Sequence, residues 1–148
     1  MRNFAMDGIY NQRKTFIDIE EMDRDQNTLY EMIHSLQRAI NTVAHKNHVE
    51  GLIEAVMAHL DAQIRFEERV MASNNYPLAF AHVEVHNVIR DQFKSILASI
   101  YCESINNKNI GKLLINTHRH HFTYFDEIMF HYIIDQYTLT SVDDGLSI

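Results

Sequence analysis

Residues 66–86 read FEERVMASNNYPLAFAHVEVH, and the fold turns on how this stretch is parsed. On the N-terminal side, Phe66, Val70 and Met71 keep a helical spacing. On the C-terminal side, Val85, Val88 and Ile89 resume it. Between them SNNYP holds two asparagines, which favour turns, and the chain's one proline, which fits the first turn of a helix. The stretch therefore predicts two helices joined by a tight turn. It also places Glu67 near the end of one helix, with His82 and His86 four residues apart on one face of the next.

Working outward, the same period recurs along the chain. One run extends from about Glu20 to Val43, through Met22, Leu29, Met32, Ile33, Leu36, Ile40 and Val43. A second extends from about Val49 to Ala72, through Leu52, Ile53, Val56, Met57, Leu60, Ile64 and Met71. A third follows Pro77 to about Glu103. A fourth runs from about Ile110 to Tyr137, through Leu113, Leu114, Phe122, Phe125, Ile128, Met129, Ile133 and Ile134. The links His45–His48, Ser73–Pro77 and Ser104–Lys108 are short, so neighbouring helices are expected to be antiparallel. With one proline and four glycines in 148 residues, little punctuation is left for strands. The expected fold is all-α: an up-down-up-down antiparallel four-helix bundle over about residues 19–138. An N-terminal arm over about 1–18 and a weakly ordered tail over about 139–148 flank it, in a single domain.

Composition narrows the function. A chain of this length buries roughly 70% of its unfolded surface and needs no staple to fold. A formal charge of −7, with scattered lysines, argues against nucleic acid as a partner. No apolar run has the roughly 18 residues that a membrane span needs, and the start of the chain lacks the apolar core of a signal peptide. The single cysteine, Cys102, has no internal disulfide partner, which points to a reducing compartment; a cytoplasmic protein is expected. The ten histidines stand out, because imidazole is the commonest metal ligand among side chains. At least six of them are expected on the surface.

The remaining histidines form a pattern. The turn folds the start of the third helix back beside Glu67, so His82, His86 and Glu67 can meet in the bundle. His121 and Asp126 in the last helix are five apart. On an ideal α-helix that leaves about 140° between them, so they would have to flank a site from two sides. Three imidazoles and two carboxylates suit iron, with zinc or manganese as alternatives. A lone pair of histidines four apart is more often structural; its companions give this one weight. His118 and His120 are expected to aim away from the metal-facing side. Tyr30, Phe66, Phe122 and Phe125 are expected to wall the pocket.

Four segments, in this order, resemble the hemerythrin family: IEEMDRDQNTLY (19–30), QIRFEERVM (63–71), YPLAFAHVEVH (76–86) and HFTYFD (121–126). The resemblance covers about residues 16–135. It implies a non-haem di-iron centre inside a four-helix bundle, with His82, His86 and His121 on one iron and Glu67 and Asp126 bridging to the other. It also implies two further histidines on the second iron, where O₂ binds. This chain has Gln26 and Gln63 at those two positions. An amide oxygen is a weaker ligand for iron than imidazole, and reversible O₂ carriage of the family's kind draws on both irons.

Three arrangements are therefore open. One metal could be held by the three histidines with Glu67 and Asp126. Two metals could be held, the second by Gln26 and Gln63. Or His59, one turn before Gln63, could be recruited to the second site. The glutamines could instead hydrogen-bond each other and the carboxylates. The expected function is an iron-binding protein that senses or binds O₂, NO, redox state or metal, rather than an ordinary carrier, with a partner protein or a homodimer as output. The alternatives are a non-haem iron enzyme acting on O₂, peroxide or NO, and a conventional di-iron O₂-binding protein.

Overall fold

The computed structural model describes the backbone of residues 4–42, 45–102 and 107–143, and the side chains of residues 20–42, 45–102 and 107–136. The described residues are helical almost throughout and contain no strand. Helix α1 is Phe4–Asn41, α2 is Lys46–Ser73, α3 is Ala79–Ala98 and α4 is Ile110–His121; a π-helical turn, Phe122–Asp126, continues α4 into α5, Glu127–Asp143. α4, the π turn and α5 together make the fourth rod of the bundle. The rods form a closed ring: α1 packs on α2, α2 on α3, α3 on α4, and α4 back on α1. The expected four-helix bundle is thus the observed fold. α1 takes in residues assigned to the arm, since its backbone is helical from Phe4. Residues 1–3 of the arm and 144–148 of the tail lie outside the described residues.

The decisive turn closes as a Schellman motif. The Tyr76 N–H donates to the Met71 carbonyl at 3.0 Å and the Asn75 N–H to the Ala72 carbonyl at 3.4 Å. This geometry puts Asn75 at φ 49°, in the left-handed region that asparagine tolerates better than most residues. Tyr76 is then buried against Met71, and α3 is directed back along α2. At the other end, Gln37 of α1 accepts from the Gly111 N–H at 2.7 Å and donates to the Asn107 carbonyl at 2.9 Å. Those bonds tie the start of α4 to α1. A Cβ on Gly111 would come within 3.2 Å of the Gln37 side chain, so any larger residue there would push Gln37 aside by a few tenths of an ångström.

The apolar core is in two parts. The larger contains Leu29, Ile33 and Leu36 of α1, Val56, Leu60 and Ile64 of α2, Ile89 and Phe93 of α3, and Ile110 and Leu114 of α4. The smaller contains Met22, Met71, Tyr76, Met129, Phe130 and Ile133. On each rod a polar position separates the two parts: Gln26 between Met22 and Leu29, Glu67 between Ile64 and Met71, and His121 and Asp126 between Leu114 and Met129. On α3, His82 and His86 lie between Tyr76 and Ile89. A polar layer therefore crosses the bundle.

Because the Schellman turn sets the α2–α3 pairing, Asn75→Gly is expected to leave the melting temperature nearly unchanged. Asn75→Val should cost about 1–2 kcal/mol, from forcing a branched side chain into the left-handed region; thermal unfolding of both variants checks this.

Candidate metal centre

The polar layer gathers Glu67 from α2, His82 and His86 from α3, His121 at the end of α4, and Asp126 at the end of the π turn. All five are buried, and one ligand atom from each lies within 4.8 Å of all the others. Donor atoms on opposite sides of one ion stand about 4 Å apart, so little closure would seat one ion. This buried His/Glu/Asp group could hold a metal.

The π turn is what completes the cluster. On an ideal α-helix His121 and Asp126 point different ways, and the sequence reading placed them on two sides of the site. Instead, the Glu127 N–H reaches back five residues to the Phe122 carbonyl. A π turn carries one residue more than an α turn. Residues five apart across it therefore stack as residues four apart do in an α-helix. His121 Nε2 and Asp126 Oδ1 end 3.0 Å apart.

Inside the cluster, His82 donates Nε2–H to Asp126 Oδ1 at 2.9 Å. His86 is held at both ring nitrogens, with Nε2 2.8 Å from Glu67 Oε2 and Nδ1 3.0 Å from Glu68 Oε1. Burial, helped by the charge of Asp126, pushes the Glu67 carboxyl up to about 8. Burial, helped by His82, pulls His86 down to about 4. At neutral pH these two settle as a proton on Glu67 that donates to His86 Nε2, while His86 Nδ1–H donates to Glu68. Burial also opposes a charge on His121, but its contacts with the carboxyl groups of Asp126 and Glu67 outweigh it and raise His121 to about 9. For Asp126 burial is again outweighed, here by His121 and His82, and the group falls to about 2. One cation and one anion thus face each other, and of two close carboxyls only one ionises.

The arrangement leaves His121 Nδ1, His121 Nε2 and Asp126 Oδ2 buried without a hydrogen-bond partner. The 3.0 Å approach of His121 to Asp126 is a charge contact, out of line for a hydrogen bond. Buried polar atoms are rarely left unpaired. Orphaned nitrogens and carboxylate oxygens at the centre of such a group fit a bound cation.

Beside this cluster lies a second polar chain that was not foreseen. Gln26 Nε2 donates to the Tyr30 hydroxyl at 3.0 Å, and Tyr30 lies 3.1 Å from His118 Nδ1. His118 Nε2 lies 2.8 Å from Gln63 Oε1. Gln63 offers a carbonyl oxygen there, so His118 carries its proton on Nε2 and accepts from Tyr30 on Nδ1. Burial lowers His118 to about 4, so the ring is neutral. His118 was expected to aim away, but it is 3% exposed. It precedes His121 by three residues, which share a helix face, and that spacing was the available signal. The glutamines therefore bond to Tyr30 and His118 rather than to each other or to the carboxylates. His59 stands outside the five-residue cluster, its Nε2 2.9 Å from the Asp25 carbonyl oxygen. Five histidines are exposed, His34, His45, His48, His120 and His131, one fewer than the six expected, and His59 is half-buried. Phe125 walls the site, stacked on His121 with ring centroids 5.4 Å apart.

Comparison with known proteins returns no matching family model, no matching curated protein and no matching solved structure. The reading of the site therefore rests on its own geometry.

Two outcomes test that geometry. A metal takes neutral imidazole and ionised carboxylate, so at pH 7 it must displace the protons of Glu67 and His121. Affinity should rise with pH by up to about 100-fold per unit below pH 8, two protons being released. The slope should fall by half between about 8 and about 9 and vanish above, as Glu67 and then His121 lose their protons unaided. Calorimetric titration in buffers of differing ionisation enthalpy counts the protons directly. Deleting the exposed Thr123 should convert the π turn to a regular α turn, with His121 and Asp126 still on one face. The variant is expected to keep its helical circular dichroism and the metal content of the parent chain. Loss of the metal in a folded deletion variant would refute the stacking account.

Proposed function

We propose that the chain is a hemerythrin-like metal-binding bundle that holds one metal ion per chain, with iron as the native metal, and serves as a sensor or binding protein. The observation that carries this reading is the five-residue ligand group, buried in the layer between two apolar clusters. Burying His121 and Asp126 with ring nitrogens and a carboxylate oxygen unpaired is costly, and a cation would relieve it. Three histidines with two carboxylates match iron's preference for mixed imidazole and carboxylate ligation; zinc and manganese take similar donors and would compete.

A single ion is favoured by two observations. The 4.8 Å spread of ligand atoms suits one ion, whereas paired ions themselves sit about 3.5–4 Å apart and need a wider cage. Of the two amides a second ion would need, Gln63 has its carbonyl oxygen taken by His118, and Gln26 is turned with its nitrogen on Tyr30. Iron at this place would supply redox chemistry and affinity for a small ligand such as O₂ or NO. The chain's own residues would orient it, exclude water through Phe125 and the flanking apolar clusters, and hold protons on Glu67 and His121 until the ion arrives. Among the described residues no helix is long and apolar enough to cross a membrane. The output would pass to a protein partner or a second copy.

The test is elemental analysis of protein purified without chelators. One metal per chain is expected, reduced to near zero in His82→Ala. At a metal concentration 1,000 times the dissociation constant, the parent should gain about 4 kcal/mol over the metal-free form. Two metals per chain would overturn the single-ion reading, and none under iron-replete expression would overturn metal binding itself.

A further inference from the structure

We propose that Glu68 is the positioning residue that presents His86 to the metal from the α2–α3 seam, with the Arg90 guanidinium, anchored on Asp61, as a nearby cation. This rests on the metal-binding reading of the cluster and adds to it a surface-reaching set of residues that tunes the ion. Glu67 and Glu68 are adjacent in α2, yet Glu67 enters the core while the Glu68 side chain keeps 30% exposure. The fully buried His86 ring lies between them. Among the described residues it is the one cluster histidine with a carboxyl group at both ring nitrogens; His121 Nδ1 has no partner.

The geometry sets a direction. With Nδ1–H donating outward to Glu68 Oε1, the inward Nε2 is left with its lone pair toward the cluster. That is the tautomer a metal needs, and a carboxylate on the far nitrogen makes the ring a stronger donor. Arg90 follows His86 by one turn of α3 and reaches back to α2. Its Nε donates to Asp61 Oδ1 at 2.9 Å, its Nη1 donates to Asn87 Oδ1 at 3.2 Å, and Nη1 is 4.0 Å from Glu68 Oε1. The guanidinium is thus bracketed by two carboxylates two turns apart on α2. It keeps a cation beside Glu68 without taking the oxygen that His86 uses away from it. The ring orientation of a buried ligand is in this way set by groups at the protein surface.

The experiment uses the full chain and cobalt(II) as the probe, with affinity and visible absorption bands as readouts, followed by the reduction potential of the iron-loaded protein. Glu68→Ala is expected to weaken cobalt binding 10–100-fold, to shift the cobalt bands, and to raise the iron potential, since a poorer donor favours iron(II). Glu68→Gln, whose amide oxygen still accepts from Nδ1–H but carries no charge, should fall between parent and alanine variant in all three. It also serves as the readout if the alanine variant does not fold. Glu54→Ala removes an exposed carboxylate from α2 about 20 Å along the helix and should change nothing. If the parent binds neither cobalt nor iron, the metal-binding reading fails. If the parent binds and both Glu68 variants match it in affinity and bands, or Glu54→Ala matches Glu68→Ala, the positioning role is overturned while metal binding stands.

Discussion

Burying ionisable side chains between two apolar clusters is the constraint on which this structure depends. Each rod of the bundle must interrupt its apolar stripe at the same height, or a carboxylate of one rod faces the hydrocarbon of another. Met22–Gln26–Leu29, Ile64–Glu67–Met71, His82–His86–Ile89 and Leu114–His121–Asp126–Met129 make those interruptions coincide. The register of the four rods is therefore tied to the polar layer as well as to hydrophobic packing. A slip of one turn would leave Asp126 without its countercharge and Glu67 without its hydrogen-bond partner, at a cost of several kcal/mol.

The layer is uneven, and the unevenness is chemical. On the side of α2 and α3, carboxylates and imidazoles crowd together with opposed charges and unpaired atoms. On the side of α1, Gln26, Tyr30, His118 and Gln63 form an uncharged chain. Its end is instructive: His118 gives its hydrogen to an amide carbonyl, which accepts a hydrogen bond but does not pass a proton on. The chain is thus a lock rather than a proton wire. It satisfies buried polar groups, committing the Gln63 carbonyl oxygen to His118 and the Gln26 amide nitrogen to Tyr30.

Much of this could be read from residue order, and the rest could not for physical reasons. The helices of the bundle followed from apolar spacing and the short links, and SNNYP marked the reversal. The turn's Schellman closure, with Asn75 left-handed, is a refinement of that same signal. Glu67, His82 and His86 could be placed together because each lies within a few turns of one reversal. Asp126 could be joined to them as flanking the site from a second side and through the family resemblance, but not on the same face as His121, since the usual rotation per residue sends it away and nothing in FTYFD announces a π turn. His118 was missed because the single-residue rotation was applied to it as to His120, whereas its three-residue spacing from His121 puts the two on one face. The Gln26–Tyr30–His118–Gln63 chain joins residues from three helices, and no local pattern reports such a pairing.

The π turn links these observations. It costs regular hydrogen bonding in the middle of the last rod, and such turns are uncommon outside functional sites. Packing alone gives it little reason to exist, because a rod one residue shorter would present the same apolar faces. What the extra residue allows is an outward-facing Thr123–Tyr124 segment while His121 and Asp126 keep their places at the centre. The proton inventory then follows from crowding: Asp126 is ionised against a cationic His121, and Glu67, left as the second carboxyl, keeps its proton and gives it to His86 as a hydrogen bond. Protons occupy the places that a cation would take. The fold can therefore form without an ion and still hold these side chains close to where an ion would need them.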